Sequence, residues 1–413
     1  MLLSRLLKRV VRIGTLEVID AGGTHHTFSG SPSPVVVIRL HDRALHRKLY
    51  LNPDLYIGEA WMDGTLTIEK GTLVEFTNLV AANMQFASDD PIYAAYEWVS
   101  RIARRFQQFN PISASRRNVS HHYDLPDWLY DIFLDRNQQY SCAYFRSCKE
   151  DLDAAQLNKQ DHLAAKLLLE PGQKVLDIGS GWGGLAQYLA ETGDADVTGL
   201  TLSEEQLKVA NARIRKAGLD GKVHFHLRDF REETGTYDRI VSVGMFEHVG
   251  LNHFPEFFSS VRNLLDDNGV CLIHSIGRMG GPNSTSAWIR KYIFPGGYSP
   301  ALSETLSAIE NSGLWVTDIE ILRVHYADTL AAWRQRFEAQ QPLVTRRLGE
   351  RFYRMWEFYL TVSEAVFRHG DHFVFQIQIA KQRDAVPLTR DYITAWEHDT
   401  AAEVIPFKPG IAA

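Results

Sequence analysis

The feature that most restricts the fold is an alternation that begins near Asp161. Short apolar stretches, KVLDI, DVTGLT, VHFHL, RIVSV and VCLIHS, are separated by helical ones, GGLAQYLAETG, SEEQLKVANARIRKAG and FPEFFSSVRNLL. Strands joined through helices return by right-handed crossovers, which gives a parallel sheet covered on both faces. LWVTDIE and FVFQIQIA read as two final strands. Between them, from about Thr329 to His369, runs a helical insert rich in aromatics: Trp333, Phe337, Phe352, Tyr353, Trp356 and Tyr359. This predicts an α/β, Rossmann-like domain over roughly residues 160–383.

The rest of the chain divides around it. Residues 1–88 mix strand signals (LEVID, HHTFSG, PVVVIRL) with helical spacing from Thr72 to Met84, where Leu73, Phe76, Leu79 and Val80 share a face. This predicts a smaller N-terminal α+β domain, expected to be lipid- or membrane-associated. Residues 89–118 read as a helix and a basic linker carrying Arg101, Arg104, Arg105, Arg116 and Arg117. It is either a solvated connection or a surface for anionic phosphate groups. The catalytic domain is then 119–413. A net charge of −6 argues against nucleic acid as a partner. Cys142, Cys148 and Cys271 form no CxxC pair, so neither a disulfide framework nor a zinc site is expected, and no metal. No apolar run is long enough to span a bilayer, and Arg5, Lys8, Arg9 and Arg12 interrupt any leader-like stretch. A cytoplasmic location is expected.

The strand VLDI runs into Asp177-Ile178-Gly179-Ser180-Gly181-Trp182-Gly183-Gly184. A glycine turn there lets backbone approach a ligand at the carboxyl ends of the strands. The spacing is GxGxGG and not GxGxxG, and Asp177 puts a carboxylate where a nicotinamide fingerprint usually has an apolar residue. A carboxylate suits the cationic amino group of S-adenosylmethionine. The second strand ends in Thr201 and Leu202, with Gln206 following, so Thr201 and Gln206 are candidates to bond a ribose. Asp229 and Phe230, after the third strand, offer a carboxylate and an aromatic face for adenine. Ordinary strand-end loops are the plainer reading. Three of them in register favour a cofactor site.

From about His121 to Lys381 the sequence resembles the cyclopropane-fatty-acyl-phospholipid synthases and the related mycolic acid cyclopropane synthases. The stretches are HHYDLPDWLYDIFLD, QYSCAYF, VLDIGSGWGG, GLTLSEEQ, FEHVG, LIHSIG, IFPGGYSP and HYADTLAAWRQRF. The resemblance implies a class I methyltransferase fold with a mostly parallel seven-stranded sheet. It implies attack of a cis double bond of a phospholipid acyl chain on the sulfonium methyl, loss of a proton and ring closure. It adds Tyr140 and Ser141 to the cofactor site and a bound bicarbonate ion as base. The positions matching the ligands of that ion are Cys142, Glu247, His274, Ile276 (through its backbone) and Tyr326. Such a set is chemically sensible: an alkene needs orientation and a dry site, and a small held anion can remove a proton without being alkylated.

Each residue also has a plainer reading. Glu247 and His248 can cap a helix, His274 can be a core histidine, Cys142 core packing, and Tyr326 a surface ring. Pro126 and Trp128 replace a smaller polar pair of the family, and Ser363 stands where many members have a cysteine, so no thiol mechanism is available there. Methylation without ring closure is the competing enzyme reading, and a lipid-binding protein with a degenerate catalytic domain the competing class. The implied partner is a bilayer surface, with the protein held peripherally at the inner face of the membrane. A homodimer is an assembly the resemblance allows. Residues 1–14 predict an interfacial helix, with Leu2, Leu3, Leu6, Leu7, Val10 and Val11 as an apolar stripe that faces either lipid or its own domain.

Overall fold

The structure is a computed structural model, and it describes residues 2–89 and 125–403. The linker expected over 89–118, with its arginines, and His121 and His122 of the first matching stretch lie outside the described residues, apart from Asp89.

The N-terminal part is a four-stranded sheet in the order β2-β1-β3-β4, built from β1 (Thr15–Ile19), β2 (His25–Ser29), β3 (Val35–Leu40) and β4 (Leu66–Lys70). Strict alternation in β3 buries Val36, Ile38 and Leu40 on one face. The helix Leu73–Asn83 starts at a reciprocal capping box, in which Thr72 accepts from the Glu75 N–H and Glu75 accepts from the Thr72 N–H. Its buried face carries Leu73, Phe76 and Leu79, as the spacing predicts. The helix Leu2–Val10 lays its apolar side on this domain: Leu3, Leu6 and the following Val11 are buried, while Arg5, Lys8, Arg9 and Arg12 are exposed. Of the two roles open to that stripe, packing on its own domain is the one adopted.

The second sheet has seven strands: β5 (Lys174–Ile178), β6 (Asp196–Thr201), β7 (Val223–Leu227), β8 (Tyr237–Val243), β9 (Leu265–Arg278), β10 (Trp315–Ile321) and β11 (His372–Ala380). Their order is β10-β11-β9-β8-β5-β6-β7. β5 to β9 run parallel, and β11 alone is antiparallel, wedged between β9 and β10. The strand order reverses at β5, which opens a crevice beyond the carboxyl ends of the strands. The aromatic insert is three helices, His325–Glu338, Gln341–Leu348 and Glu350–His369. Trp333, Phe337 and Trp356 from it are fully buried against Tyr130 and Phe133. The helix Pro53–Met62 joins the two parts, because Gly58 lets the Trp288 indole of the helix Ala287–Tyr292 approach its backbone.

Candidate active site

A cavity of about 140 Å³ opens at the crevice. Asp177 lines it from the end of β5, and the turn after it lines it with backbone. Gly179 and Gly181 hold φ of 90° and 53°, a region that only glycine enters without strain. A Cβ on Gly179 would stand 2.8 Å from the Met245 side chain. Tyr140, Ser141, Thr201, Leu202, Gln206, Asp229 and Phe230 complete the agreement between the expected cofactor residues and this lining. Gly183 is the exception. It stands outside the lining, at the N-cap of the helix Gly184–Gly193, where a Cβ would meet Phe225 at 2.7 Å. Its glycine serves the packing of helix on sheet.

Two side chains are engaged differently from the expectation. The Thr201 hydroxyl donates to Gln206 Oε1 at 2.9 Å, so it holds the glutamine in place and is already committed. The Asp229 carboxylate receives Arg231 Nε and Nη2, both at 2.7 Å, and is neutralised before any ligand arrives. Asp177 is the contrary case. It is buried, and its Oδ2 has no hydrogen-bond partner. Burial pushes its carboxyl up to about 7, against the pull of Lys159. An orphaned, buried carboxylate oxygen facing a cavity fits the ammonium of S-adenosylmethionine.

Lys159 went unnoticed in the sequence. It sits inside the helix Leu152–Leu167 and is fully buried. Its Nζ donates to Gln139 Oε1 at 2.7 Å and Ser141 Oγ at 2.8 Å, and so ties down the loop that forms one wall. Among the described residues no carboxylate is within ion-pair distance of it. Burial lowers its pKa to about 8. His248, part of FEHVG and a possible helix cap on sequence grounds, lines the cavity, and burial lowers it to about 4. No motif marks Lys159, since a lysine in a helical repeat ordinarily reads as solvated.

None of the five residues implied for an anion is on the lining of this cavity. Glu247, in a 3-10 turn after β8, does not cap a helix. Its Oε1 accepts the Ile276 N–H at 2.7 Å, while Oε2 is buried without a partner. Burial pushes it up to about 7, against that N–H. His274 lies two residues before Ile276, so their side chains share a face of β9. Its Nδ1 meets Gln376 Nε2 at 3.2 Å, its Nε2 is buried without a partner, and burial holds it well below the ordinary range. Gly244, on the cavity wall, donates to the His274 carbonyl at 2.9 Å. Tyr326 is no surface ring: it is buried, with Phe367 at 4.7 Å and Trp333 at 5.8 Å between ring centres. Cys142 is buried with its thiol on the Ala143 carbonyl at 3.3 Å, and burial pushes it far up, so it is no thiolate. Trp333 also stacks on Tyr140 at 5.1 Å, and the Tyr140 and Tyr359 hydroxyls bond at 2.8 Å. Aromatic rings are therefore packed behind Tyr140 on the cavity wall. Among the described residues no group of three or more His, Cys, Asp or Glu is placed to hold a metal, and no helix is long and apolar enough to cross a membrane.

A doubly covered parallel sheet with an acidic residue and a glycine turn at its switch point defines an S-adenosylmethionine-dependent methyltransferase. The mycolic acid cyclopropane synthetase family matches residues 112–377, and the chain belongs to that family. It is 35% identical over 362 residues to a probable fatty acid methyltransferase of Pseudomonas putida, covering 86% of this chain and 89% of that protein. It is 35% identical over 346 residues to the cyclopropane-fatty-acyl-phospholipid synthase of Escherichia coli, covering 83% and 87%. Among solved structures, mycolic acid cyclopropane synthase CmaA1 complexed with SAH and CTAB aligns with a TM-score of 0.62 and 33% identity, over 66% of this chain and 99% of that one.

Proposed function

We propose that this protein transfers a methylene group from S-adenosylmethionine to the cis double bond of a phospholipid acyl chain and closes a cyclopropane, with bicarbonate as base. The observation that carries the reading is the pair of orphaned buried atoms, Glu247 Oε2 and His274 Nε2, next to the cofactor cavity. Buried polar atoms without partners are costly, and a small polar anion would satisfy both. Glu247, its carboxyl raised by burial to about 7, can donate a hydrogen bond to such an ion while it holds its proton, and His274 can donate one from Nε2 when Nδ1 accepts from Gln376. The family resemblance adds Cys142 and Tyr326 to this set. The Ile276 N–H is already given to Glu247, so in this arrangement its role is to orient that carboxyl. When bound, bicarbonate would supply the base for a poorly acidic proton; the chain's own part is to hold it, exclude water and face the developing carbocation with aromatic rings.

Methylation without ring closure is the second reading. It is favoured by relatives of comparable identity, the Pseudomonas putida protein and, at 34% identity, the tuberculostearic acid methyltransferase UfaA1 of Mycobacterium tuberculosis. Expression in a host lacking the activity distinguishes them. Both reactions add one CH2, so the product is hydrogenated and examined by NMR: a ring survives as a ring, and a methylated chain gives none. The base is tested in carbon-dioxide-free buffer, where the rate should fall and return on adding bicarbonate. An unchanged rate there removes bicarbonate from the mechanism.

The substrate is a bilayer lipid in this reading, so the protein docks from the inner face of the membrane. The basic outer face of the helix Leu2–Val10 is the proposed contact, since its apolar side is packed on its own domain. Arg12 contributes less, because it is paired with Asp89 at 2.5 Å. Gln in place of Arg5, Lys8 and Arg9 should reduce co-sedimentation with anionic vesicles, each charge counting for roughly 1 kcal/mol before screening by salt.

A further inference from the structure

The stretch FVFQIQIA puts two glutamines on one face of β11, and the structure buries both. They are used differently. Gln378 is committed at both ends of its amide. Its Nε2 donates to the Lys166 carbonyl at 2.5 Å and the Tyr392 hydroxyl at 2.9 Å, and its Oε1 accepts from Thr317 Oγ1 at 2.8 Å. Such a glutamine braces strands and helices. The Gln376 side chain makes one bond among the described residues, from Nε2 to His274 Nδ1 at 3.2 Å, and its Oε1 is buried with no partner. A half-satisfied buried amide is destabilising, and an apolar residue of the same shape would avoid that. Packing therefore does not account for a glutamine at this position.

Register makes its meeting with His274 obligatory. Gln376 lies opposite His274 of β9 on one side and opposite Glu320 of β10 on the other. The three side chains form a row across neighbouring strands on one face of the sheet. Burial, reinforced by Lys159 and Lys166, holds His274 well below its ordinary range, so its ring is neutral. A neutral imidazole carries one proton, and the bond made by one nitrogen decides where that proton sits. A carboxylate against Nδ1, as in a Ser-His-Asp triad, would keep the proton there and leave Nε2 a bare acceptor. Glu320, the carboxylate of this row, is one strand further away and is engaged by Lys166 and by His162 Nε2. What faces Nδ1 is the amide nitrogen of Gln376, which can only donate.

We propose that Gln376 is a positioning residue for this reaction: by donating to Nδ1 it fixes His274 as the Nε2–H tautomer and makes it a hydrogen-bond donor to a small anion. The polarity is opposite to that of a histidine–carboxylate pair. A bare Nε2 would turn a lone pair towards a negative oxygen, and would compete for the proton that the bound ion is there to take. The catalytic consequence rests on the bicarbonate reading; the tautomer does not.

The test has two arms, both on the full chain. In the first, isotope-labelled histidine is read by nitrogen NMR, with His274→Asn identifying the ring. The parent should show a protonated Nε2 and a bare Nδ1 with no bicarbonate present. Gln376→Leu, which removes the donor, should give a mixture of tautomers, and Gln376→Glu should move the proton to Nδ1. In the second, methyl transfer is followed as bicarbonate is added to carbon-dioxide-free buffer. The bicarbonate concentration giving half the maximal rate should rise about tenfold in both variants, the effect of one lost hydrogen bond to a charged group. S-adenosylhomocysteine should bind them as it binds the parent. A glutamine that serves packing alone would lower the melting temperature and leave that concentration unmoved, and this result overturns the proposal. So does a parent ring protonated at Nδ1, or a Gln376→Leu variant that keeps the pure Nε2–H form. A parent rate that ignores bicarbonate, with the Nε2–H tautomer in place, would sink the bicarbonate reading and leave the assignment of the tautomer to Gln376 standing.

Discussion

Asp177 is where charge enters this site. Its carboxyl is pushed by burial up to about 7. Below that pH it holds a proton that the cofactor's ammonium must displace. Affinity for S-adenosylhomocysteine should therefore fall as pH drops from 8 to 6, approaching tenfold per unit at the acid end. Calorimetry at several pH values reads this directly. Asp177→Asn should bind more weakly and with a flat profile; a slope that survives in that variant would belong to Glu247, which burial also brings to about 7. His248 does not confuse the reading, since burial holds it near 4. Lys159 opposes the rise at Asp177, so Lys159→Met should move the midpoint to higher pH. Loss of stability with an unmoved midpoint would reduce Lys159 to a brace for the Gln139–Ser141 loop.

At the scale of elements, the aromatic insert is held by contacts among its own helices, with the segment 125–145, and with the N-terminal helices Pro53–Met62 and Leu73–Asn83. Trp333 touches Phe133, Tyr140 and Tyr326 through its ring and is fully buried. Trp333→Ala should cost about 3–5 kcal/mol in urea unfolding, and Trp333→Phe much less. A cost under about 1 kcal/mol would mean that the cluster is not the insert's core. These elements also show what the sequence makes legible. β5 to β9 stand out because each is a short apolar run bounded by turns, and the Asp177 loop because its glycines follow a strand. The helix Leu152–Leu167 carries no such contrast, since Gln156, Lys159, Gln160 and His162 are all buried in it, contrary to ordinary amphipathic spacing. Polar residues that face inward to serve a site defeat a pattern based on hydrophobicity. The same cause hid Arg231 as the partner of Asp229, and the commitment of Thr201 to Gln206. The family motifs located Glu247 and His274, but only coordinates reveal which of their atoms are left without partners.

Across the whole molecule, the N-terminal part meets the rest through the helices Pro53–Met62 and Leu73–Asn83, both packed on the helix Glu350–His369. Glu59 receives Lys291 Nζ at 2.7 Å and the Tyr292 hydroxyl at 2.9 Å, and the Trp61 indole donates to Glu357 at 3.2 Å. The tightest point is Gly58, where an added Cβ would stand 2.4 Å from Trp288 Nε1. Gly58→Ala should overpack that contact by about 1–3 kcal/mol, lower the melting temperature and speed proteolytic separation of the two parts. Cofactor binding should persist, because every residue lining that cavity comes after Gln138 in the sequence or is Gln138 itself. An unchanged melting temperature would show that the interface yields freely. The antiparallel β11 has its own consequence. Ile321 lies opposite Phe375, and the Leu322 N–H bonds the Val374 carbonyl at 2.7 Å, so the chain leaves the sheet and re-enters it on neighbouring strands. The excursion between those strands is thus a cassette with both ends pinned at one place. Provided Trp333 and Tyr359 stay to hold Tyr140 on the cofactor cavity, the rest of its length and lining can drift without disturbing the strands beneath, and a chimera exchanging this cassette should carry the donor protein's taste in lipids with it.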